Sequence, residues 1–358
     1  MTVPHINRIG TANPPFDIHA AFVTFGRTLL RTDKERMVFD RMAERSGIAH
    51  RYSVLQPGVP GADRVDAEGF LNRGRFPTTA ARMRRYETHA PDLAAQAVAA
   101  LGCDPASFTH IVVASCTGMV APGLDQMLAQ RLGMRADLER TVIGFMGCYA
   151  AVSALKSAWH IVRSQPHARV LVLNIELCSL HLQEVPDIEP VLSFLLFGDG
   201  CSAALVSAEP TGVGLLDFRA VTLPHTADLI TWNVGDQGFD MRLSGKVPAQ
   251  IAHALRGELD RTDGAGILRG AGTQDVALWA VHAGGRTVLD AVEQGLRLDR
   301  DALAVSRGVL NDFGNMSSVT VMFILDRMIR AGGAQAGLGI GMAFGPGVCA
   351  ETFRFRMA

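Results

Sequence analysis

Cys148 is the residue best placed in the sequence to act as a nucleophile. It follows Gly147 at the end of a β-branched run and precedes an alanine-rich segment with helical character. A sulfur at such a junction lies near a helix N-terminus, where unpaired amides and the helix dipole favour the thiolate and lower the pKa of the thiol. A small residue at a tight strand-to-helix turn explains Cys148 equally well when it is taken alone.

A thiol nucleophile needs a basic partner, and His282 is the histidine whose flanking residues favour that role. It ends an apolar run that reads as a strand, and Gly284 and Gly285 separate it from a helical segment. Polar residues at strand ends commonly form binding and catalytic sites. A neutral histidine in the core, bonded to a backbone group, is the simpler interpretation of His282 by itself.

Asn315 adds an amide in a polar loop that turns through Gly314 into a long apolar helix. Asn315 by itself is explained as a cap of that helix. The three residues are more informative together, because each stands at a glycine-flanked junction that enters a helix or leaves a strand. They predict one site for nucleophilic catalysis.

The composition indicates a compact and nearly neutral globular protein. Of 358 residues, 48% are apolar and 19% charged, and the formal net charge is −1. This balance excludes a disordered chain and gives no electrostatic reason to expect nucleic acid or an anionic membrane as a partner. No apolar run approaches the roughly 18 residues of a membrane span, and the first residues lack a secretion signal, so we expect a cytoplasmic protein.

The six cysteines are scattered, with no Cys-x-x-Cys pair and no zinc-ligand spacing. We therefore expect neither a disulfide framework nor a structural metal.

Strand-like runs alternate with helical patterns along the chain, which predicts an α/β protein whose sheets are covered on both faces. A weaker seam near Pro210 predicts a boundary between residues 1–211 and 212–358. The clearest predicted strands are 110–114, 141–145, 169–175, 203–206, 276–281 and 339–343, and the clearest predicted helices are 91–101 and 286–296.

The sequence contains five short motifs: Gly-Cys at 147–148, Leu-Phe-Gly-Asp-Gly at 196–200, His-Ala-Gly-Gly at 282–285, Gly-Asn-Met-Ser-Ser at 314–318 and Phe-Gly-Pro-Gly at 344–347. Their order and spacing resemble those of the type III polyketide synthases, the chalcone synthase-like branch of the thiolase superfamily. The strings Cys-Thr-Gly at 116–118 and Glu-Leu-Cys-Ser-Leu at 176–180, together with Trp232, resemble bacterial members that make alkylresorcinols, alkylpyrones or tetrahydroxynaphthalene.

The resemblance implies a thiolase-like five-layered αβαβα fold made of two similar halves, and a homodimer. Residues 1–211 would carry the nucleophile Cys148, and residues 212–358 would carry His282 and Asn315. The implied chemistry takes an acyl-CoA and malonyl-CoA as substrates, with a resting thiolate–imidazolium pair. Asn and His N–H groups would stabilise the enolate formed when malonyl-CoA loses CO₂. It requires no metal and no organic cofactor.

The resemblance also implies residues that bind substrate. Phe197 matches the gatekeeper aromatic between a CoA tunnel and the cavity, and Met241 stands at the second gatekeeper position, where plant enzymes have Phe. Arg41 and Arg45 match two basic CoA-binding positions, although solvated helix charges explain them equally well, and Val38 replaces a third. The remaining predicted substrate-binding residues are Cys116, Thr117, Cys178, His181, Trp232, Ser317, Gly345, Pro346 and Gly347.

Small residues at 116, 117, 121 and 178 leave room for a long acyl chain, although ordinary core packing also accounts for them. We expect a fatty acyl-CoA starter, extension with malonyl-CoA and cyclisation to a resorcinol or pyrone. Three alternatives stay open: a malonyl-only synthase of the tetrahydroxynaphthalene type, a ketoacyl synthase III-like enzyme that performs a single condensation, and a catalytically silent relative that acts as a binding partner.

Overall fold

The structure, a computed structural model, describes residues 2–59, 61, 63–261, 263–331 and 337–357. The strands are β1 (His5–Ala12), β2 (Phe16–Asp17), β3 (Tyr52–Ser53), β4 (His110–Ser115), β5 (Glu139–Gly144), β6 (Val170–Leu177), β7 (Asp199–Ser207), β8 (Val213–Thr222), β9 (Ile230–Gly235), β10 (Gly238–Leu243), β11 (Val276–Val281), β12 (Leu338–Gly345) and β13 (Cys349–Met357). The helices are α1 (His19–Leu29), α2 (Asp33–Arg45), α3 (Thr79–Ala100), α4 (Leu124–Arg131), α5 (Ala150–Ser164), α6 (Ile188–Val191), α7 (Ser193–Leu196), α8 (Val247–Leu259), α9 (Arg286–Leu296), α10 (Ala304–Phe313) and α11 (Val319–Arg330).

Nine strands form one mixed sheet in the order β11-β12-β13-β8-β1-β7-β6-β4-β5. In the first half β4 pairs in parallel with β5 and β6, and β7 and β1 follow in antiparallel order. In the second half β11 and β12 are parallel, and β13 and β8 follow in antiparallel order. Strands β1, β4, β6 and β7 therefore correspond to β8, β11, β12 and β13. The halves join where β1 pairs with β8, through His5 with Gly214 and Ile6 with Val213.

The apolar core is divided among three clusters that define the layers. Helices α1, α3 and α4 pack on the outer face of the first half, and α8, α9 and α10 pack on the outer face of the second half. Helices α5 and α11 lie between the two halves of the sheet. This arrangement is the five-layered αβαβα fold predicted from the sequence, and the predicted boundary at 211–212 falls in the connection between β7 and β8.

The central helices α5 and α11 are buried because residues on most of their surface are apolar. Ala150, Ala154 and Ala158 keep α5 narrow, and the α11 residues from Val319 to Leu325 are all buried. Helix α5 begins two residues after Cys148, and α11 begins four residues after Asn315. The fold therefore brings two of the three candidate catalytic residues to the N-terminal ends of neighbouring helices.

Several predicted bounds differ from the structure by a few residues, and one differs by a large margin. The helix expected over 91–101 begins at Thr79, and Pro91 lies in its interior. Thr78 caps the helix by accepting a hydrogen bond from Ala81 N at 3.3 Å, and a buried face that includes Tyr86 and Ala94 offsets the backbone hydrogen bond that Pro91 cannot donate. In the described residues, no helix is both long and apolar enough to cross a bilayer.

Candidate active site

Cys148 lies in a 3₁₀ turn, Gly147–Tyr149, between β5 and α5. Phe145 and Gly147 have φ of +55° and +71°, so the chain reverses within a few residues. A Cβ at position 147 would overlap Cδ of Pro346. Glycine is therefore required there both for its backbone conformation and for the close approach of the loop that contains Pro346.

The loop before α11 places two side chains at the thiol. Ser317 Oγ lies 3.7 Å from Cys148 Sγ and donates a hydrogen bond to it. Asn315 Oδ1 accepts from Ser317 N at 2.8 Å, and Asn315 Nδ2 donates to Gly284 O at 3.1 Å. The Asn315 side chain also lowers the pKa of the thiol. The structure thus brings Cys148 and Asn315 to the same site.

His282 follows the last residue of β11, where its backbone N–H donates to Met342 O at 2.8 Å. Gly284 connects it to the loop before α11, because Gly284 N donates to His282 O at 3.0 Å and Gly284 O accepts from Asn315. The imidazole is buried, and neither ring nitrogen has a hydrogen-bond partner among the described residues. A buried imidazole with two unpaired nitrogens is available to a substrate.

Burial shifts the pKa of both titratable members of the site. It raises the pKa of the Cys148 thiol to about 11, because its effect outweighs the hydrogen bonds from Ser317 and Asn315. It lowers the pKa of His282 to about 3. Each shift favours the neutral form, which differs from the lowered thiol pKa and the resting ion pair predicted from the sequence. Loss of hydration is the physical reason, since it penalises each charge taken singly.

An inner cavity of about 50 Å³ opens in front of Cys148. Gly345 and Gly347, which were also predicted to bind substrate, are not among the residues that line this cavity. Gly345 packs against the ring of Tyr149, and Gly347 O accepts from Thr226 Oγ1 at 2.9 Å. The predicted substrate-binding residues that line the cavity are Cys116, Thr117, Cys178, His181, Phe197, Trp232, Met241, Ser317 and Pro346.

Hydrogen bonds fix the aromatic wall of the inner cavity. His181 stacks on Phe239 with ring centroids 4.1 Å apart, and its Nδ1 accepts from Phe239 N at 3.1 Å. Its Nε2 lies 2.7 Å from Thr117 O, so the neutral Nε2–H tautomer satisfies both contacts, and burial lowers the pKa of His181 to about 3. Trp232 Nε1 donates to Cys116 O at 2.8 Å. The wall is therefore uncharged and held in place.

An outer cavity of about 480 Å³ meets the inner one at Phe197 and Met241, which line both. Arg41 and Arg45 line the outer cavity and are exposed, as expected for residues at an entrance. Sequence reasoning missed Arg286, which lines the same cavity and donates from Nη1 to Arg45 O at 3.2 Å. Its place directly after Gly284-Gly285 was the available signal.

Sequence reasoning also missed Glu176, a fully buried carboxyl group behind the thiol. It accepts hydrogen bonds from Cys116 N at 3.0 Å, Thr117 Oγ1 at 2.9 Å and Ser318 Oγ at 2.6 Å. Burial raises the pKa of Glu176 to about 7. Glu176 thus connects β6 to two loops that border Cys148. An acidic residue inside the mostly apolar run of β6 was the signal for it.

Comparison with known proteins gives concordant results in sequence and structure. Family models described as "Chalcone and stilbene synthases" match residues 24–210 with the N-terminal domain and residues 217–358 with the C-terminal domain. The chain is 33% identical over 336 residues to the "Alpha-pyrone synthesis polyketide synthase-like Pks18" of Mycobacterium tuberculosis, which covers 90% of this chain and 82% of that protein. It is 32% identical over 373 residues to the bisdemethoxycurcumin synthase of Oryza sativa, and that alignment covers 96% of this chain and 90% of the rice protein. The crystal structure of PKS-I from the brown alga Ectocarpus siliculosus superposes with a TM-score of 0.86 at 28% identity, covering 100% of this chain and 99% of that one.

Proposed function

The chain belongs to the chalcone and stilbene synthase family and is an acyltransferase of the type III polyketide synthase class, and we propose that it builds a pyrone or resorcinol on Cys148. The starter would be an acyl-CoA, and malonyl-CoA would extend it. The observation that carries this proposal is the position of Cys148, in contact with Ser317 and Asn315, at a cavity that continues past Phe197 into a second cavity open to basic residues.

In the first step the Cys148 sulfur attacks the thioester carbonyl of the starter. A bond forms between the sulfur and the acyl carbon, the bond to the CoA sulfur breaks, and CoA leaves with a proton. His282 is the base that we assign to the Cys148 proton, because its ring nitrogens have no other partner among the described residues. Transfer of that proton creates both charges together, so each lowers the cost of the other.

In the second step malonyl-CoA loses CO₂, and the electron pair of the broken bond becomes an enolate. The enolate carbon attacks the acyl group on Cys148, which forms a carbon–carbon bond, breaks the bond between the acyl carbon and the sulfur, and releases Cys148 as a thiolate. The enolate oxygen needs donors, and we assign the imidazole N–H of His282 and the amide of Asn315 to it. Loss of one such donor typically costs about 2.7–4 kcal/mol of transition-state stabilisation. The chemistry needs CoA thioesters and no further cofactor.

The two cavities suit the two parts of an acyl-CoA substrate. The outer cavity is larger and reaches Arg41, Arg45 and Arg286, whose guanidinium groups would pair with the CoA phosphates. The acyl group would pass Phe197 and Met241 to reach the thiol. We propose these two residues as the gate between the cavities.

We propose a fatty acyl starter, because the small side chains of Cys116, Thr117 and Cys178 line the inner cavity and the Pks18 relative carries the name of an α-pyrone synthase. A long chain needs more room than the about 50 Å³ of this cavity, so the hydrogen bond from Trp232 Nε1 to Cys116 O would have to break to admit it. That volume favours a second candidate, a synthase that uses malonyl-CoA as both starter and extender, because it holds only a few groups of about the size of water.

We further propose a homodimer formed through the edge of β5. This strand ends the nine-stranded sheet and is exposed along most of its length. Val142 and Met119 are exposed large apolar residues, and they line one surface cavity of about 460 Å³ together with Ala121. An exposed strand edge beside an apolar patch favours pairing with a second chain. The cytoplasmic location stays a prediction.

The experiment that tests the proposal supplies purified protein with lauroyl-CoA and malonyl-CoA, and in parallel with malonyl-CoA alone. Products that contain lauroyl and two or more malonyl-derived units support the fatty starter. A product from malonyl-CoA alone supports the second candidate, and a single condensation supports the ketoacyl synthase alternative. The Cys148→Ala variant should lose the acyl adduct in intact-protein mass spectra, whereas the matched Cys103→Ala variant should keep it. Unchanged product formation by Cys148→Ala would refute the nucleophile assignment.

A further inference from the structure

Arg51 is a fully buried cation that the proposed reaction steps do not use. It directly precedes β3, and its backbone is fixed by two hydrogen bonds: Ile18 N donates to Arg51 O at 2.8 Å, and Arg51 N donates to Asp17 Oδ1 at 3.3 Å. Burying a guanidinium is costly unless its N–H groups find acceptors. The acceptors of Arg51 therefore indicate its role in the structure.

The guanidinium donates to the backbone of the proposed gate. Arg51 Nη1 donates to Phe197 O at 3.1 Å, Nε donates to His19 Nδ1 at 2.9 Å, and Nη2 donates to His19 O at 3.4 Å. Its central carbon lies 5.3 Å from the ring centroid of Phe22, within the range of a cation–π contact. Burial lowers the pKa of Arg51 to about 9 and that of His19 to about 4, so at neutral pH a charged donor faces a neutral acceptor.

Two motif glycines leave the space that the Arg51 stem occupies. A Cβ at Gly314, whose φ is +69°, would lie 2.6 Å from Arg51 Cγ and 2.8 Å from Leu196 O. A Cβ at Gly198 would lie 3.4 Å from Arg51 Cβ and 2.9 Å from Phe313 O. Both distances at Gly314 are shorter than side chains tolerate, so the loops of the gate and of Asn315 are shaped around Arg51.

The same two loops are hydrogen-bonded to each other on either side of Phe197. Asn315 N donates to Leu196 O at 2.8 Å, and Gly198 N donates to Asn315 O at 3.0 Å. Phe197 lies between these two bonds, and its own carbonyl is the one that Arg51 holds. A shift of Phe197 therefore moves the backbone of Asn315.

We infer that Arg51 is a positioning residue that holds the gate at Phe197 and the amide of Asn315 in one arrangement relative to Cys148. The inference rests on the proposed function, since it assigns Arg51 a role through those residues. An unbranched apolar side chain fills most of the same space but donates nothing, and it leaves the Phe197 carbonyl buried without this partner. A displacement of about 1 Å in a catalytic group lowers turnover by about 10²-fold.

The test compares Arg51→Met and Arg51→Lys with the wild type in two assays. Release of CO₂ from malonyl-CoA reports the placement of Asn315, and the rate of Cys148 alkylation by iodoacetamide reports access to the thiol. We expect Arg51→Met to lower kcat for CO₂ release about 10- to 100-fold while alkylation stays within about 3-fold. Arg51→Lys keeps the charge and one donor, so its loss should be smaller, about 3- to 10-fold.

Arg269→Met is the matched control. The Arg269 side chain is only 6% exposed, pairs with Asp217 at 2.9 Å and donates to Thr352 Oγ1 at 2.9 Å, away from the gate loops. We expect it to lower stability while kcat per folded enzyme stays within about 2-fold of the wild type. Equal kcat losses in Arg51→Met and Arg269→Met would overturn the inference. If Arg51→Met does not fold, the kcat of Arg51→Lys is compared with that of Arg269→Met instead, and equal losses again overturn the inference.

A double mutant separates positioning from an independent effect. If Arg51 acts through Asn315, adding Arg51→Met to Asn315→Ala should change CO₂ release by less than about 3-fold, because coupled residues are not additive. If the double mutant instead lowers CO₂ release by the product of the two single-mutant effects, the inference is contradicted. A wild-type protein without malonyl-derived product would refute the proposed function itself, whereas an active wild type beside a fully active Arg51→Met variant would refute only the role of Arg51.

Discussion

Gly147→Ala tests whether the turn before Cys148 sets the position of the thiol. Two costs are expected. The first is backbone conformation, since φ of +71° costs a residue with a Cβ roughly 1–2 kcal/mol. The second is steric, since the new Cβ would overlap Cδ of Pro346, and comparable overpacking costs about 1–3 kcal/mol. Together they predict a loss of about 2–5 kcal/mol in the free energy of unfolding.

Gly133→Ala is the control that contains only the first cost. Gly133 follows α4 with φ of +63°, and a Cβ there meets nothing within 4 Å. We expect Gly133→Ala to lower the free energy of unfolding by about 1–2 kcal/mol and to leave kcat per folded enzyme unchanged. Gly147→Ala should lower the free energy of unfolding by more than Gly133→Ala does. Its kcat should also fall about 10²-fold, because the overlap with Pro346 is relieved only when the turn or the Pro346 loop moves.

Urea unfolding midpoints and product formation per folded enzyme measure the two effects. The reasoning fails if Gly147→Ala and Gly133→Ala have the same kcat, because the contact with Pro346 would then have no effect on the thiol. It also fails if Gly147→Ala is as stable as Gly133→Ala.

Three further predictions concern other parts of the molecule. Asn315→Ala should lower the rate of CO₂ release from malonyl-CoA about 10²- to 10³-fold, and a loss below about 10-fold would remove Asn315 from the enolate-binding role. The pKa of Glu176 is about 7 in the folded protein, against an ordinary value of 4.5. The contribution of Glu176 to the free energy of unfolding is therefore fully present below pH 4.5 and is lost as the pH rises through 7. Glu176→Gln should therefore remove up to about 3 kcal/mol of the decline in unfolding free energy over that window, as measured by urea titrations at several pH values, and an unchanged decline would contradict the assignment. Val142→Asp should dissociate the dimer in light scattering, whereas Val234→Asp, equally exposed on β9, should not; a dimer that survives Val142→Asp excludes the β5 interface.

Local patterns in the sequence predicted the elements whose burial follows a regular pattern along the chain. Strand β11 and helix α9 have the predicted bounds, because an apolar run and a one-sided helical pattern each report a single environment. Strands β1, β8 and β13, which are neighbours or near neighbours in the sheet, were missed. In β13 the charged residues Glu351 and Arg354 interrupt the apolar pattern, and their partners are distant in sequence: Lys156 lies 3.3 Å from Glu351, and Asp217 lies 2.9 Å from Arg354.

In the candidate site, too, the sequence predicted some residues and missed others. Cys148 and Asn315 stand in short motifs, so the sequence identified them, and the contact between them followed from the fold. Arg51 has ordinary flanking residues, and Glu176 differs from its neighbours only in being acidic within a mostly apolar strand. Their acceptors or donors lie up to 146 residues away. Only the folded chain shows that these charges are buried next to the site. The supporting residues of a site are therefore harder to predict from one sequence than the residues that react.

The neutral state of the buried pair also follows from the folded chain, and it bears on how the thiol reacts. A helix N-terminus suggested a lowered thiol pKa, but burial dominates and raises the pKa of Cys148 to about 11. His282 opposes protonation for the same reason, with a pKa of about 3. Moving one proton from sulfur to imidazole leaves the net charge of the site unchanged, so the cost is that of separating charges within a buried volume. Ser317 donates to the sulfur, and the Asn315 side chain also favours the charged thiol, so both lower that cost. The arrangement of these two residues, rather than a permanent thiolate, is therefore the property that the surrounding loops must maintain.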